Sequence, residues 1–263
     1  MKRLYESDRQ KIFDYLLKEP YFNTYIIGDI QVFGLDSEYV KIYSLETEGK
    51  IDCILMSYCE DFVLYSDTCQ FDAYKVADFV RKNEKSNNYC ISGKGSAIDK
   101  LFTQMYDKKK RTTYMAHLEE LNSFSKEIDL PQTKRLTEDN SGDLLKLFLT
   151  IDEFYDKYKN YTPEKIKFSF KGGRTYGIYN QNDDLIASAS STAESDFCCM
   201  ITNVCTHSDY RKKGYAEQVL IALINSLKND NIKNICLYYD NPSAGKLYKK
   251  IGFSEKGTYK TLR

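Results

Sequence analysis

The sequence has little that binds metal. His117 and His207 are its only histidines, and they stand far apart. None of the eight cysteines (Cys53, Cys59, Cys69, Cys90, Cys198, Cys199, Cys205 and Cys236) forms a C-x-x-C pair. A structural zinc site needs soft ligands clustered at short spacing, so no metal is expected. Most of these thiols lie in apolar, strand-like runs, where a free cysteine acts as a small hydrophobe in a reducing compartment. An excess of charge is missing too: 38 Lys and Arg offset 38 Asp and Glu. That balance argues against a nucleic-acid partner. The short run Lys108 to Arg111 reads as a solvated turn. No apolar stretch approaches the ~20 residues that cross a bilayer. Met1 to Arg9 is charged and lacks the apolar core of a signal peptide. A soluble, cytoplasmic protein without a membrane partner is the expectation.

What is present suits two α/β domains. The chain has 263 residues, 42% of them hydrophobic, enough for a core in each half. In the first half, Ile12, Phe13, Leu16 and Leu17 have helical spacing over Asp8 to Leu17, and Pro20 ends that helix. Strand-like runs follow at Tyr39 to Leu45, Ile51 to Tyr58 and Phe62 to Tyr65. Phe71 to Asn83 reads as a helix, Asn88 to Ser92 as a strand, Gly95 to Tyr106 as a helix and Arg111 to Leu118 as a strand. The polar stretch Glu119 to Gln132 reads as a linker.

The second half repeats this order. Helices are expected at Thr137 to Ile151 and Pro163 to Phe170. Strands are expected at Thr175 to Tyr179, Leu185 to Ser190 and Cys198 to Thr206. A long helix from Gly214 to Lys228, a strand at Asn234 to Tyr239, a helix at Ser243 to Ile251 and a strand from Phe253 complete it. The repeat is one of elements rather than of residues. The expected domains are 1–125 and 133–263.

The segment Asn203 to Leu223 carries the chemistry. A strand ends near Thr206, a loop holds Arg211, Lys212, Lys213 and Gly214, and an amphipathic helix opens at Tyr215 and Ala216. The first N–H groups of a helix lack internal partners, and its macrodipole is positive there. A pyrophosphate satisfies both needs. Gly214 permits an unusual φ or a close approach, Ala216 leaves room, and the three cations add positive charge. An ordinary strand-loop-helix entry is the plainer alternative for this loop taken alone. Further on, Asn241 and Pro242 suit a helix start, while Ala244, Leu247, Tyr248 and Ile251 share related faces. Gly252 suits the helix end.

Together the two segments resemble the GNAT superfamily of N-acetyltransferases. Arg211, Gly214 and Ala216 fill its Q/R-x-x-G-x-G/A signature. The run from Asn241 to Phe253 fits N-x-x-A-x-x-L-Y-x-K-x-G-F. His207 and Ser208 stand where the family usually carries Pro. The resemblance implies two tandem GNAT-like domains, each a mostly antiparallel mixed sheet flanked by helices.

It also implies roles. Val204, Cys205 and Thr206 lie on the strand that offers backbone groups to the pantetheine arm of acetyl-CoA. Residues Arg211 to Ala216 cradle the pyrophosphate. Asn241 and Ala244 belong to the cofactor site, and Tyr248 protonates the departing thiolate. A backbone N–H near Val204 is a candidate oxyanion donor. No covalent acetyl-cysteine is needed. The general base stays open among Glu194, Asp196, Glu153, Asp152 and a water chain.

The first half has no Arg-x-x-Gly-x-Ala. Ser66 to Gln70 stands at the equivalent loop, and Asp67 would repel phosphate there. This half is expected to bind no acetyl-CoA and to resemble the degenerate halves of tandem-GNAT proteins. Tyr21, Phe22, Tyr25 and Asp29 are candidates for an acceptor wall, with core packing as the other reading.

The leading expectation is direct acetyl transfer to a primary amine of a small molecule or peptide. A non-catalytic acetyl-CoA-binding regulator is the alternative. An aminoacyl-tRNA-dependent transferase is disfavoured by the neutral charge. Monomer and homodimer both remain open.

Overall fold

The structure is a computed structural model; residues 1–84, 89–122 and 132–263 are described. Most of the expected linker and the start of the expected strand at Asn88 lie outside the described residues. Packing divides the chain into two units. The first holds Met1–Ala116, Tyr238–Asn241 and Glu255–Arg263; the second holds His117–Leu237 and Pro242–Ser254.

The first unit opens with β1 (Lys2–Leu4), α1 (Arg9–Leu16) and α2 (Thr24–Phe33). Then come β2 (Val40–Thr47), β3 (Lys50–Tyr58), β4 (Asp61–Tyr65), α3 (Ala73–Asn83), β5 (Ile91–Lys94), α4 (Gly95–Phe102) and β6 (Lys110–Leu118). Strands β1 to β4 pair antiparallel in chain order, and β4 pairs parallel with β5. A parallel pair needs a crossover, and α3 supplies it. On the other side of β5 runs the C-terminal strand, Tyr259 to Leu262 pairing antiparallel with Lys94 to Ile91. Leu55, Phe62 and Leu64 of the sheet pack with Val76, Val80, Ile98 and Leu101 of α3 and α4. The alternation of β2, with Val40, Ile42 and Ser44 turned inward, is that of a strand with one buried face.

The second unit contains β7 (Thr133–Leu136), α5 (Ser141–Leu149), α6 (Asp152–Tyr158), α7 (Pro163–Lys167) and β8 (Thr175–Tyr179). It continues through β9 (Leu185–Thr192), β10 (Cys198–Thr206), α8 (Tyr215–Asn229), β11 (Asn234–Tyr239), α9 (Pro242–Ile251) and the start of β12 (Phe253–Leu262). Strands β7 to β10 pair antiparallel, and β10 pairs parallel with β11 across the α8 crossover. Helix α8 packs on β8, β9 and β10. It buries Val219, Leu220, Leu223, Ile224 and Leu227, the stripe expected of an amphipathic helix. Leu144, Phe148, Ile151, Tyr158 and Ile166 of the α5–α7 region close on Leu185 and Cys205.

Both units therefore carry a mixed sheet flanked by helices, with their elements in the same order. Even the entry turns agree. Tyr5 N–H donates to Asp8 Oδ2 at 3.0 Å, and Thr137 N–H donates to Asn140 Oδ1 at 2.9 Å. Four elements were not expected from the sequence. Strands β1 and β7 are too short for a periodic signal. Helix α2 reads TYIIGDIQVF, rich in β-branched residues and without a polar stripe, so it carries no clear 3.6-residue pattern. Helix α6 is only two turns of mostly polar sequence.

Candidate active site

The site begins with a fault in β10. Its register against β9 shifts between Thr202 and Cys205, and Asn203 sits there at φ +52°. Asn is among the few residues that tolerate this left-handed conformation. The Tyr158 hydroxyl donates to Asn203 Oδ1 at 2.9 Å and holds the bulge from α6. On its other side β10 pairs with β11 only from Cys198–Asn234 to Ile201–Leu237. From Thr202 to Thr206 that edge has no ladder partner among the described residues. An unpaired edge is a template for an extended chain that adds to it as a strand does.

Val204 is half-exposed on this edge, whereas the Cys205 side chain is buried against the α5–α7 core. Burial pushes the Cys205 thiol up to about 12, so it is neutral at physiological pH. The Thr206 side chain is buried, and its Oγ1 has no hydrogen-bond partner among the described residues. The Thr206 carbonyl accepts from Arg211 Nε at 3.2 Å, which ties the loop to the strand end.

Next comes the loop. Lys212 has φ +64° and Gly214 has φ +82°, so the chain turns twice through left-handed backbone just before α8. A Cβ at Gly214 would meet nothing within 4 Å. Glycine is favoured there by conformation, and the space before it is open. No side chain caps α8. Its first N–H groups and its positive dipole end therefore face that space, with Arg211, Lys212 and Lys213 exposed around it. This cradle, the open strand edge and the orphaned Thr206 hydroxyl fit a pyrophosphate joined to an extended arm.

The equivalent place in the first unit is built differently. There the Asp72 side chain accepts from the Lys75 N–H at 3.1 Å and caps α3. Asp67 stands in the loop, bound by the Tyr15 hydroxyl at 3.0 Å and by Lys18 at 2.7 Å. Ser66 Oγ accepts from the Cys69 N–H, and Lys100 donates to the Cys69 carbonyl. A carboxylate already occupies the helix start that an anion would use.

The third component is α9. Asn241 is exposed immediately before Pro242, and Ala244 is half-buried in the first turn. Lys250 of α9 pairs with the buried Glu217 of α8 at 2.8 Å, fixing one helix on the other. Tyr248 is buried beside Phe253, with ring centroids 6.0 Å apart. Burial, and then the neighbouring Cys205, push its hydroxyl up to about 12. Tyr248 is therefore protonated throughout the physiological range, and the Cys205 thiol of the bulged strand acts on it. Val204, Thr206, the 211–216 loop and Tyr248 all belong to the second unit.

The candidate bases separate. Glu194 is bound by Arg174 at 3.0 Å from Nε and 2.7 Å from Nη2, and also by Ser191. Arg174 in turn binds Ser226 and Asp230, at the C-terminal end of α8. With ~1.5 Å of rise per residue, that end is roughly 18 to 24 Å from Gly214. Glu194 is thus a structural partner of Arg174, and exposed Asp196 lies in the same turn. Glu153 lies 4.0 Å from Arg211, close to the loop, and Asp152 is exposed beside it. A cleft of about 390 Å³ adjoins the loop, but Asp143, Asp183, Asp184 and Asp209 line it against a single Lys146, which repels phosphate. Among the described residues no group of three or more His, Cys, Asp or Glu is placed to hold a metal, and no helix is long and apolar enough to cross a membrane. Tyr158 and Asn203 were not singled out from the sequence as a pair; Asn within a strand run was the available signal.

Comparison with known proteins identifies the family. The GNAT acetyltransferase family matches residues 35–262. A curated relative from Gracilaria tenuistipitata var. liui, described as an uncharacterized N-acetyltransferase ycf52, is 31% identical over 78 residues, 29% of this chain. The chain spans 42% of that relative's length. A GCN5-related N-acetyltransferase-like protein from Streptococcus suis superposes with TM-score 0.60 at 16% identity, covering 99% of this chain and 100% of that one. A tandem GNAT protein from the clavulanic acid biosynthesis pathway superposes with TM-score 0.57 at 10% identity, covering 99% and 96%. At these identities the two structures show the shared fold. The family match, spanning most of the sequence, goes further: this chain belongs to the GNAT acetyltransferase family, acyltransferases that in general use acetyl-CoA as the acetyl donor.

Proposed function

We propose that the chain transfers an acetyl group from acetyl-CoA directly to a primary amine of a small molecule or peptide. The observation that carries this reading is the buried, protonated Tyr248, which feels the Cys205 thiol of β10 and lies in the same unit as the open edge of that strand and the uncapped start of α8. In this reading Val204, Cys205 and Thr206 give backbone groups to the pantetheine arm. The N–H groups from Lys212 to Ala216 and the Arg211 charge hold the pyrophosphate, and Ala244 borders the arm. The second unit, which makes up most of 133–263, is the acetyl-CoA-binding domain, and the first, drawn mostly from 1–125, is a degenerate GNAT-like domain without a phosphate cradle of its own. The capped start of α3 supports the second assignment.

The neutral amine attacks the thioester carbonyl, and a C–N bond forms as the carbonyl oxygen gains charge. A backbone N–H at the bulge, near Val204, donates to that oxygen. When the C–S bond breaks, the thiolate takes a hydrogen bond from Tyr248. Because Tyr248 titrates near 12, above the ~8.5 of an ordinary thiol, complete proton transfer is uphill unless its proton is replaced. The surplus proton on nitrogen is that replacement, and the balance closes. Cys205, neutral and packed in the core, forms no acetyl intermediate.

The test is release of free CoA thiol in the presence of a panel of primary amines, with the acetylated product identified by mass spectrometry. Turnover with an amine supports the transfer reading. Acetyl-CoA binding without turnover on any amine favours the regulatory alternative.

A further inference from the structure

The first unit also contains a cluster of tyrosines around one carboxylate. Tyr25 and Asp29 lie one turn apart on α2, on one helix face. The Tyr25 ring meets that of Tyr238 at 6.1 Å, and Tyr238 stacks on Tyr259 at 4.4 Å. The Tyr259 hydroxyl is 3.1 Å from Ser92 Oγ. The Asp29 charge acts on the hydroxyls of Tyr25, Tyr58 and Tyr259, so these groups lie near it. All six residues belong to the first unit.

Asp29 is the one carboxyl group in this cluster. It is half-buried and has neither a hydrogen bond nor an ion pair among the described residues. Burial alone lifts its carboxyl to about 7, with no cation or donor to hold it down. The other titratable groups facing the cluster are the four tyrosines, with Cys59 beside Tyr58 and Cys90 beside Tyr259. A carboxylate left unpaired in a polar-aromatic setting is costly, and a ligand that pairs with it removes that cost.

We propose that Asp29 and the rings of Tyr25, Tyr58, Tyr238 and Tyr259 form a binding site for a small organic ammonium ion. The chemistry selects that class. An anion would be repelled by Asp29. A hard divalent metal needs several oxygen ligands, and one carboxylate does not supply them. A neutral ligand would leave the carboxylate unpaired. An ammonium group pairs with Asp29 while its carbon substituents lie against tyrosine faces, which attract cations. The site stands on its own geometry and does not depend on the acetyl-transfer reading.

Calorimetric titration of the full chain with benzylammonium, tetramethylammonium and the neutral isostere benzyl alcohol tests it. The expected result is saturable binding of an ammonium probe at one site per chain and at least tenfold weaker binding of benzyl alcohol. Asp29→Asn is expected to weaken ammonium binding at least tenfold while its far-UV circular dichroism matches that of the wild type. Absence of binding by both ammonium probes, equal binding of benzyl alcohol, or undiminished binding by a folded Asp29→Asn chain would each overturn the proposal. The comparison of benzylammonium with benzyl alcohol needs no variant, so it stands even where Asp29→Asn fails to fold.

Discussion

The Tyr158 hydroxyl donates a 2.9 Å hydrogen bond to Asn203 Oδ1, and Asn203 is the residue that takes β10 through left-handed backbone. One side chain of α6 thereby fixes the bulge beside the unpaired edge of the strand. Replacing Tyr158 by Phe leaves the ring in the core and removes only the bond. The expected cost is about 1 kcal/mol of stability, together with a several-fold rise in KM for acetyl-CoA. Asn203→Ala should cost more, because it loses the bond and strains a φ of +52°. Asn203→Gly should recover the conformational part. Urea unfolding and initial-rate kinetics check the series. A Tyr158→Phe protein with wild-type stability and KM would remove Tyr158 from the account.

Tyr248→Phe should lower kcat by about two to three orders of magnitude with little change in acetyl-CoA affinity. The pH profile gives a second readout. With its hydroxyl raised to about 12, Tyr248 stays protonated well above neutrality. The rate should therefore rise with pH as the amine substrate loses its proton and then level off. Deprotonation of Tyr248 should produce no descending limb until pH approaches about 12. A descending limb near pH 9 that vanishes in Tyr248→Phe would contradict that protonation state.

How much was legible beforehand depended on sequence distance. The 211–216 loop and the Asn241 to Phe253 segment were readable because each is one local strand-loop-helix or helix-turn unit. Their side-chain spacing reports directly on the structure. The bulge was not readable, because it rests on Tyr158, 45 residues from Asn203. Glu194 stood open as a candidate base, yet Arg174 claims it from 20 residues away. The place of the last strand was equally non-local: Tyr259 to Leu262 pair with β5 of the first unit, and Tyr238 to Asn241 belong to that unit too. Asp29 and Tyr25 were named in the sequence only as candidates, since α2 itself carries no periodic signal. Phe22, named with them, is a buried core residue that packs beside Tyr21 at 5.1 Å.

Cys205→Ala should retain turnover. Burial pushes the thiol up to about 12, outweighing the hydrogen bond with Ser188 Oγ at 3.4 Å, and keeps it neutral and inert. Losing one sulfur from the core should cost about 1 kcal/mol of stability. Initial rates should give intersecting rather than parallel lines, as direct transfer from a ternary complex requires. Complete loss of activity, together with an acetylated Cys205 in the wild-type protein, would show a covalent route instead.

Gly252→Ala should be severely destabilising. Gly252 has φ +127°, and a Cβ there would approach the Glu120 carbonyl oxygen to 1.9 Å. The adjoining segment also closes the end of α9: Asn122 Nδ2 donates to the Lys250 carbonyl at 2.7 Å, and the Asn122 N–H donates to the Ile251 carbonyl at 3.0 Å. Neither backbone yields without losing those bonds. A loss of about 3 kcal/mol or more in urea unfolding is expected. A change below about 1 kcal/mol would mean that the turn relaxes freely.

The most direct test of the whole account is calorimetric binding of acetyl-CoA to the wild type and to Gly214→Glu. The uncapped start of α8 and the capped start of α3 predict one site per chain in the wild type. The Gly214→Glu variant, with a carboxylate at the phosphate position, should bind at least a hundredfold more weakly. Two sites per chain would contradict the reading of the first unit, and undiminished binding by the variant would contradict the phosphate cradle itself.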